Sequence, residues 1–305
     1  MDAPDCRKLP EPSSDQCDPA MPGSPDTPDP LAVARAAELI DQADGLVIAA
    51  GAGMGVDSGL PDFRGNAGFW RAYPALAASG IAFMDIASPA AFYDNPRRAW
   101  GFYGHRLALY RKTSPHAGYE LLRRWGASKP FGSIVFTSNV DGHFQRTGFP
   151  SGDIDECHGS IHALQCLRPC SSAVWPASGY FPLVDDTRCE LVGPPPVCPH
   201  CGALARPNIL MFNDSDWIDA AHARQALSRQ AWIGRVRRPV VIEIGAGLNI
   251  PTVRHFSHRV AGRENAALVR INPCEPHVGQ ARGIGIAASA LATFRAIDGL
   301  LTASR

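Results

Sequence analysis

Four of the nine cysteines fall in two close pairs. Cys166 and Cys170 flank Leu-Arg-Pro, and Cys198 and Cys201 flank Pro-His. Soft thiolates in two short-spaced pairs are the ligand set of a closed, tetrahedral zinc site of the structural type. The first gap is three residues where two are commoner, which leaves the geometry feasible. Cys189 and His200 lie nearby and are left out of the set. The remaining cysteines (Cys6, Cys17, Cys157, Cys274 and Cys189 itself) read as ordinary thiols. A second cluster begins at LVIAAGAGMGVDSGLPDFRG, residues 46–65. Gly51, Gly53 and Gly55 allow backbone N–H groups to approach a diphosphate, with a helix N-terminus behind them. Glycines at this spacing also suit a plain strand-to-helix turn. A plain turn has no use for Asp62, Phe63 and Arg64 beside it. Asn139 and Asp141 follow an apolar run, where an Asx turn is the simpler reading. His158 has an imidazole whose ordinary pKa near 6.5 suits proton transfer near neutrality. Tyr103 and Arg106 stand at i and i+3, so on a helix their phenol and guanidinium can point into one pocket.

The elements that must carry these groups are legible as alternating apolar runs and helical patterns. LAVARAAELIDQAD, starting at Leu31, places Leu31, Ala34, Ala37, Leu39 and Ile40 on one helical face. The runs 46–50, 133–138, 239–246 and 266–272 read as buried strands, each followed by a turn or helix. This pattern predicts an α/β protein with a Rossmann-like, doubly wound parallel sheet. Between about 161 and 206 the pattern breaks into Cys, Pro and Gly, which predicts a small inserted zinc-binding module. Residues 1–30, rich in Pro, Asp and Ser, are expected to be a disordered tail. The expected partition is therefore a catalytic domain over 31–300, with its Rossmann-like part at 31–160 and 207–300.

Hydrophobic residues make up 45% of the 305 and charged residues 19%, and 29 basic residues balance 29 acidic ones. That balance argues against a polyanion partner, so direct nucleic-acid binding is not expected. No apolar run approaches the roughly 18 residues of a membrane span. The N-terminal residues lack the basic start and apolar stretch of a secretory signal, so the cytoplasm is the default expectation. Nothing in the sequence indicates an oligomeric state.

The stretch 46–65 resembles the NAD signature of the sirtuin family, GAG-x-S-x-x-SG-[IL]-PDFRG. The resemblance continues in order through TSNVDGHF (137–144), CHGS (157–160), the cysteine pairs, RPNILMF (206–212), IGAGLNI (244–250) and VRIN (269–272). It covers about residues 31–300. It implies an enzyme with NAD as co-substrate and structural zinc, which transfers acyl groups from protein or peptide lysines and releases nicotinamide and O-acyl-ADP-ribose. By that resemblance His158 is the general base, with Asn139 and Asp141 at the nicotinamide and ribose. Gly51, Ala52, Gly53, Asp62, Phe63, Arg64, Ser138, Val140, Gly245, Ala246, Gly247 and Asn272 would line the rest of the cofactor site. Leu210 and Phe212 belong to a segment that adds as a strand to the substrate peptide. Tyr103 and Arg106, with the small Ala87, resemble the subgroup that removes succinyl, malonyl or glutaryl groups.

Three departures accompany the match. Ser138 replaces the usual Gln, Ala246–Gly247 replace Thr–Ser, and Asn213–Asp214 stand where Gly-Glu follows the Phe. The first two remove polar side chains from the nucleotide site. Alternative expectations are an ADP-ribosyltransferase or NAD hydrolase with the same cleavage chemistry, and a weakly active NAD-sensing interaction module.

Overall fold

A computed structural model describes residues 27–61 and 65–303. Residues 1–26 of the expected tail, and Asp62, Phe63 and Arg64, lie outside the described residues. The strands are β1 (Gly45–Ala50), β2 (Ser133–Thr137), β3 (Ile154–Glu156), β4 (Gly159–Cys166), β5 (Val174–Pro176), β6 (Val184–Asp185), β7 (Glu190–Leu191), β8 (Ala205–Ile209), β9 (Pro239–Ile244), β10 (Ala267–Ile271) and β11 (Gly283–Ile286).

Six of them form one parallel sheet in the order β11-β10-β9-β1-β2-β3. The chain builds outward from β1 through β2 to β3, then returns to the other side of β1 with β9. The reversal lies between β1 and β9, and a crevice opens there beyond the strands' carboxyl ends. Every residue of β1, β9 and β10 is buried, as expected for strands covered by helices on both faces.

The first helix, Pro30–Gln42, begins where Asp29 accepts hydrogen bonds from the N–H groups of Leu31 (3.3 Å) and Ala32 (3.2 Å), with Pro30 at its first position. Its buried face differs from the expected one. Leu31 and Ala34 are exposed, while Val33, Ala36, Ala37 and Ile40 pack on the sheet with Ala32 and Leu39. Leu31 and Ala34 lie on the solvent side of the helix, so their apolar character does not make them core residues.

A second body packs against one end of the sheet. The antiparallel sheet β5-β4-β8 has Cys166 at the end of β4, and the other three cysteines lie in the loops beside it. The helices between 65 and 112, expected within the Rossmann-like part, share their apolar cluster with residues 161–211. The long helix Pro96–Lys112 is bolted to that module. Trp100 Nε1 donates to the carbonyl of Ala205 at 2.9 Å, and Arg111 donates to the carbonyls of Ala177 and Tyr180 at 2.7 Å each. Tyr103 and Arg106 therefore ride on an element whose position the cysteine module sets.

Two charges lie inside the main sheet. Glu243 of β9 and Arg270 of β10 are register neighbours, and the guanidinium grips both carboxylate oxygens at 2.6 and 3.0 Å. Arg270 also donates to His258 Nε2 at 2.8 Å and to the carbonyl of His277. Removing one member of such a pair strands the other charge in the core. Glu243→Ala is expected to lower the unfolding free energy by about 3–5 kcal/mol in urea titration. Glu120→Ala, which breaks an exposed pair with Arg123, should move the midpoint far less. Equal, small shifts for both would show that the buried pair does not hold the sheet.

Candidate active site and metal centre

The glycine turn after β1 meets the turn after β9 backbone to backbone. Gly51 N–H donates to Ile244 O (2.9 Å), Gly53 N–H to Gly245 O (3.0 Å), and Gly245 N–H to Ile271 O (3.0 Å). Gly245 has φ +58°, and a Cβ there would lie 2.4 Å from the Cα of Gly53. No other residue fits without moving the loop. After Gly51 the chain forms a 3₁₀ helix, Ala52–Ser58, where the sequence pattern indicated only a turn leading to a helix. Beside it lies a cavity of roughly 220 Å³ lined by Gly53, Asp57, Gly245, Ile271, Ala288 and Ser289 among others. A crevice walled by two glycine turns, with main-chain groups at its rim, fits a dinucleotide at the switch point.

The neighbouring polar residues brace the turns. Asn139 Nδ2 donates to Gly51 O at 2.9 Å, which ties the turn after β2 to the glycine turn. Asp141 is 6% exposed; it accepts from the N–H of His143 (2.8 Å), and its carbonyl accepts from His162 Nε2 (2.8 Å). Ser138 N–H donates to Ala50 O, and Val140 O accepts from the N–H of Ile161. Asn272 is buried and braces the wall. Its Nδ2 donates to Ala246 O, and its Oδ1 accepts from the N–H groups of Cys274 and Glu275. Ala246 is buried, whereas Ala52 and Gly247 are exposed at the rim. Gly55 occupies the Ser position of the NAD signature, a fourth departure, and a Cβ there would already lie 3.1 Å from Leu60 Cδ1.

His158 follows β3 and is half-buried. Its carbonyl accepts from Leu210 N–H at 3.0 Å. The next residue, Gly159, has φ +74°, and a Cβ there would lie 2.1 Å from Asn208 O, so glycine is required for His158 to sit against β8. Burial lowers the imidazole pKa, and the neighbouring His222 lowers it further. His222 in turn is held by Asp155, whose carboxylate also takes Arg229. Sequence reading missed Glu156, two residues before His158. Burial pushes its carboxyl up to about 7, against hydrogen bonds from Gln145 and Ser160. A carboxylate at the end of a three-residue strand leaves no periodic signal.

The substrate side is assembled from the cysteine module and the helices before it. Ala87 O accepts from Phe212 N–H at 2.9 Å, Met211 N–H donates to Asp214, and Leu210 N–H to His158. The N–H groups of 210–212 are thus engaged within the fold, so strand addition here would use the carbonyls. Asp214 accounts for one of the noted departures. Its fully buried carboxylate grips Arg206 through two bonds of 2.7 and 2.8 Å. Asn213 takes φ +55°, a left-handed conformation that Asn tolerates better than most residues in place of Gly. The guanidinium carbon of Arg106 lies 5.9 Å from the Tyr103 ring centre. Tyr103 stacks on Phe92, and burial pushes its phenol up to about 12.

Cys166, Cys170, Cys198 and Cys201 bring four sulfurs within 4.8 Å of one another. The Cys166–Cys201 and Cys170–Cys198 separations are 3.7 and 3.6 Å. A tetrahedron with Zn–S bonds of about 2.3 Å has edges of about 3.8 Å, so the donor set fits one Zn²⁺. Cys189 stays outside the cluster, buried at φ +52°.

These features define a Rossmann-type dinucleotide-binding protein with a separate four-cysteine module. The Sir2 family model matches residues 51–232, and the chain belongs to the Sir2 family. An NAD-dependent protein deacylase of Aquifex aeolicus is 30% identical over 75% of this chain and 84% of its own length. NAD-dependent protein deacylase 1 of Pseudomonas aeruginosa is 30% identical over 77% of this chain and 86% of its own. A solved Sir2 homologue–NAD complex superposes with a TM-score of 0.65 at 20% identity, covering 88% of this chain and 94% of that one. A Sir2 complex with a deacetylated p53 peptide and 3'-O-acetyl-ADP-ribose has a TM-score of 0.60 at 19% identity, covering 87% and 96%.

Purified protein is expected to carry one zinc per chain by elemental analysis. Cys198→Ser should lose the metal and loosen the module, seen as new protease sensitivity between 166 and 201. Active protein without zinc would refute the assignment.

Proposed function

We propose that this chain removes acyl groups from lysine side chains with NAD as co-substrate. The observation that carries the reading is the double-glycine crevice at the switch point, with His158 on the turn after β3 as a half-buried imidazole whose pKa is lowered by burial. When bound, NAD supplies a ribose carbon that accepts the acyl oxygen as nicotinamide departs. The chain's own residues bind, orient and move protons. Main-chain groups of Gly51, Ala52, Gly53, Gly245, Ala246 and Gly247 hold the phosphates and adenosine, with Ser138 and Val140 beside the ribose and Asn272 bracing the wall. Asn139 and Asp141 orient the nicotinamide amide and its ribose. By family resemblance alone, Phe63 and Arg64 are assigned to cover that ribose and Asp62 to support the nicotinamide pocket. His158 takes a proton from a ribose hydroxyl, which its unprotonated form does near neutral pH.

Acyl-lysine peptides are the proposed substrates, with Leu210 and Phe212 along the peptide and Ala87 leaving room for the acyl group. Tyr103 and Arg106 favour acyl groups that end in a carboxylate, because a guanidinium binds an anion with charge-assisted hydrogen bonds.

His158→Ala should lower turnover by about a hundred- to ten-thousand-fold while NAD still binds in calorimetry. Near-normal turnover would remove His158 from the mechanism. Only unprotonated His158 is active, so kcat/KM should fall as pH drops through its pKa. That acid limb should lie below the ordinary imidazole value of about 6.5. A limb above it would contradict the buried environment. Arg106→Met should cut the preference for succinyl- over acetyl-lysine by about tenfold or more. An unchanged preference would end the acidic-acyl reading.

A further inference from the structure

Strand β4 breaks its pairing with β8 partway along. Gly159 and Ser160 pair with Ile209 and Asn208, and the ladder resumes only at Leu164 with Pro207. Ile161, His162 and Ala163 therefore have no opposite residues on β8, an irregularity of the kind that re-aims side chains beside a site. What they reach is the turn after β2. The N–H of Ile161 donates to Val140 O at 3.1 Å, and His162 Nε2 lies 2.8 Å from Asp141 O. Consecutive residues of β4 thus hold consecutive carbonyls of the turn that carries Asn139 and Asp141. The backbone of His162 is fixed in turn, its carbonyl accepting from Ala177 N–H at 2.8 Å.

A carbonyl only accepts, so the Nε2 that meets Asp141 O carries the proton. Burial lowers the imidazole pKa, against the opposing hydrogen bond to Asp141, and the ring is neutral near pH 7. It packs directly on Gly142, which takes φ +72°, and a Cβ there would come within 2.8 Å of His162 Cδ2. The side chains of the turn bond elsewhere: Asn139 to Gly51 O, and Asp141 to the N–H of His143. Its carbonyls belong to β4. That strand ends at Cys166, so His162 also joins the cysteine module to the cofactor turn.

We propose that His162 is a positioning residue for the nicotinamide end of the cofactor, on the NAD-dependent reading given above. Its Nε2–H fixes the Asp141 carbonyl and, through it, the aim of Asn139 and Asp141. His162 lies outside the glycine, histidine and cysteine motifs.

The test uses the zinc-loaded protein and measures KM for NAD, KM for an acyl-lysine peptide, and the inhibition constant of added nicotinamide. His162→Leu removes the donor. It should raise KM for NAD and weaken nicotinamide inhibition by about two- to tenfold, with KM for the peptide moved less than about twofold. His162→Gln places an amide N–H near the Nε2 position and should return both constants toward the wild-type values. Equal changes in all three constants, without recovery in the Gln variant, would make His162 a packing residue of β4 and overturn the proposal. Wild-type constants in the Leu variant would overturn it too. Nitrogen NMR of the labelled histidine rings needs no variant active or folded beyond the one used for assignment, His162→Gln. It should show His162 as the Nε2–H tautomer near neutral pH, and an Nδ1–H tautomer would overturn the proposal alone. A wild type that cleaves no NAD would overturn the reading above, and this proposal with it.

Discussion

The contact between two glycine turns organises the rest of the molecule. Gly51 can lie against Gly245, and Gly245 against the backbone of Gly53, only because Gly51 and Gly245 have no side chain, and this packing sits where β1 and β9 end side by side. The crevice is the gap that two diverging crossovers leave above this contact. Asn139 then reaches Gly51 from the next strand, so the third wall takes its position from the same turn. His158 follows one strand further out, held against β8 by its own carbonyl and by Gly159. Cofactor, base and peptide sites thus depend on one backbone packing.

Around that contact, the loops are held by buried charge pairs. Arg206 and Asp214 fix the segment after β8, Arg270 and Glu243 join the two strands beyond the switch, and Asp155 anchors Arg229 and His222 behind the base. Desolvation offsets much of the attraction in such pairs, so they add little net stability. What they do supply is geometry, since each pairing is strongly favoured only with both partners in place.

The parts of the fold that the sequence revealed are those with a periodic or compositional signature. The buried strands β1, β2, β9 and β10 are apolar runs, and the four zinc ligands follow from the spacing of their pairs. Strands β3 and β11 went unseen because Ile-Asp-Glu and Gly-Ile-Gly-Ile are too short and too atypical to read. The first helix was legible in extent, but its buried face was misjudged at Leu31 and Ala34. Glu243 and Arg270 sit in strands that read as purely apolar, and their pairing depends on a register no local pattern encodes. The same holds for Asp214, whose partner Arg206 lies eight residues away. The helices of 65–112 look like ordinary crossover helices in sequence. In the structure they share an apolar cluster with residues 161–211, and Trp100 and Arg111 bond to the carbonyls of Ala205, Ala177 and Tyr180.

The strand order also sets a timetable for synthesis on the ribosome. β1 emerges early, finds β2 about 90 residues later, and waits about 190 residues for β9. At roughly 5–20 residues per second, that is about 10–40 s in which one edge of the central strand has no neighbour from its own chain. An open apolar edge of this kind invites pairing with other chains, so the nascent protein passes through its most aggregation-prone state before the crevice exists. The half-made chain has no dinucleotide site to be rescued by ligand, because the wall that Gly245 provides is among the last parts to be translated.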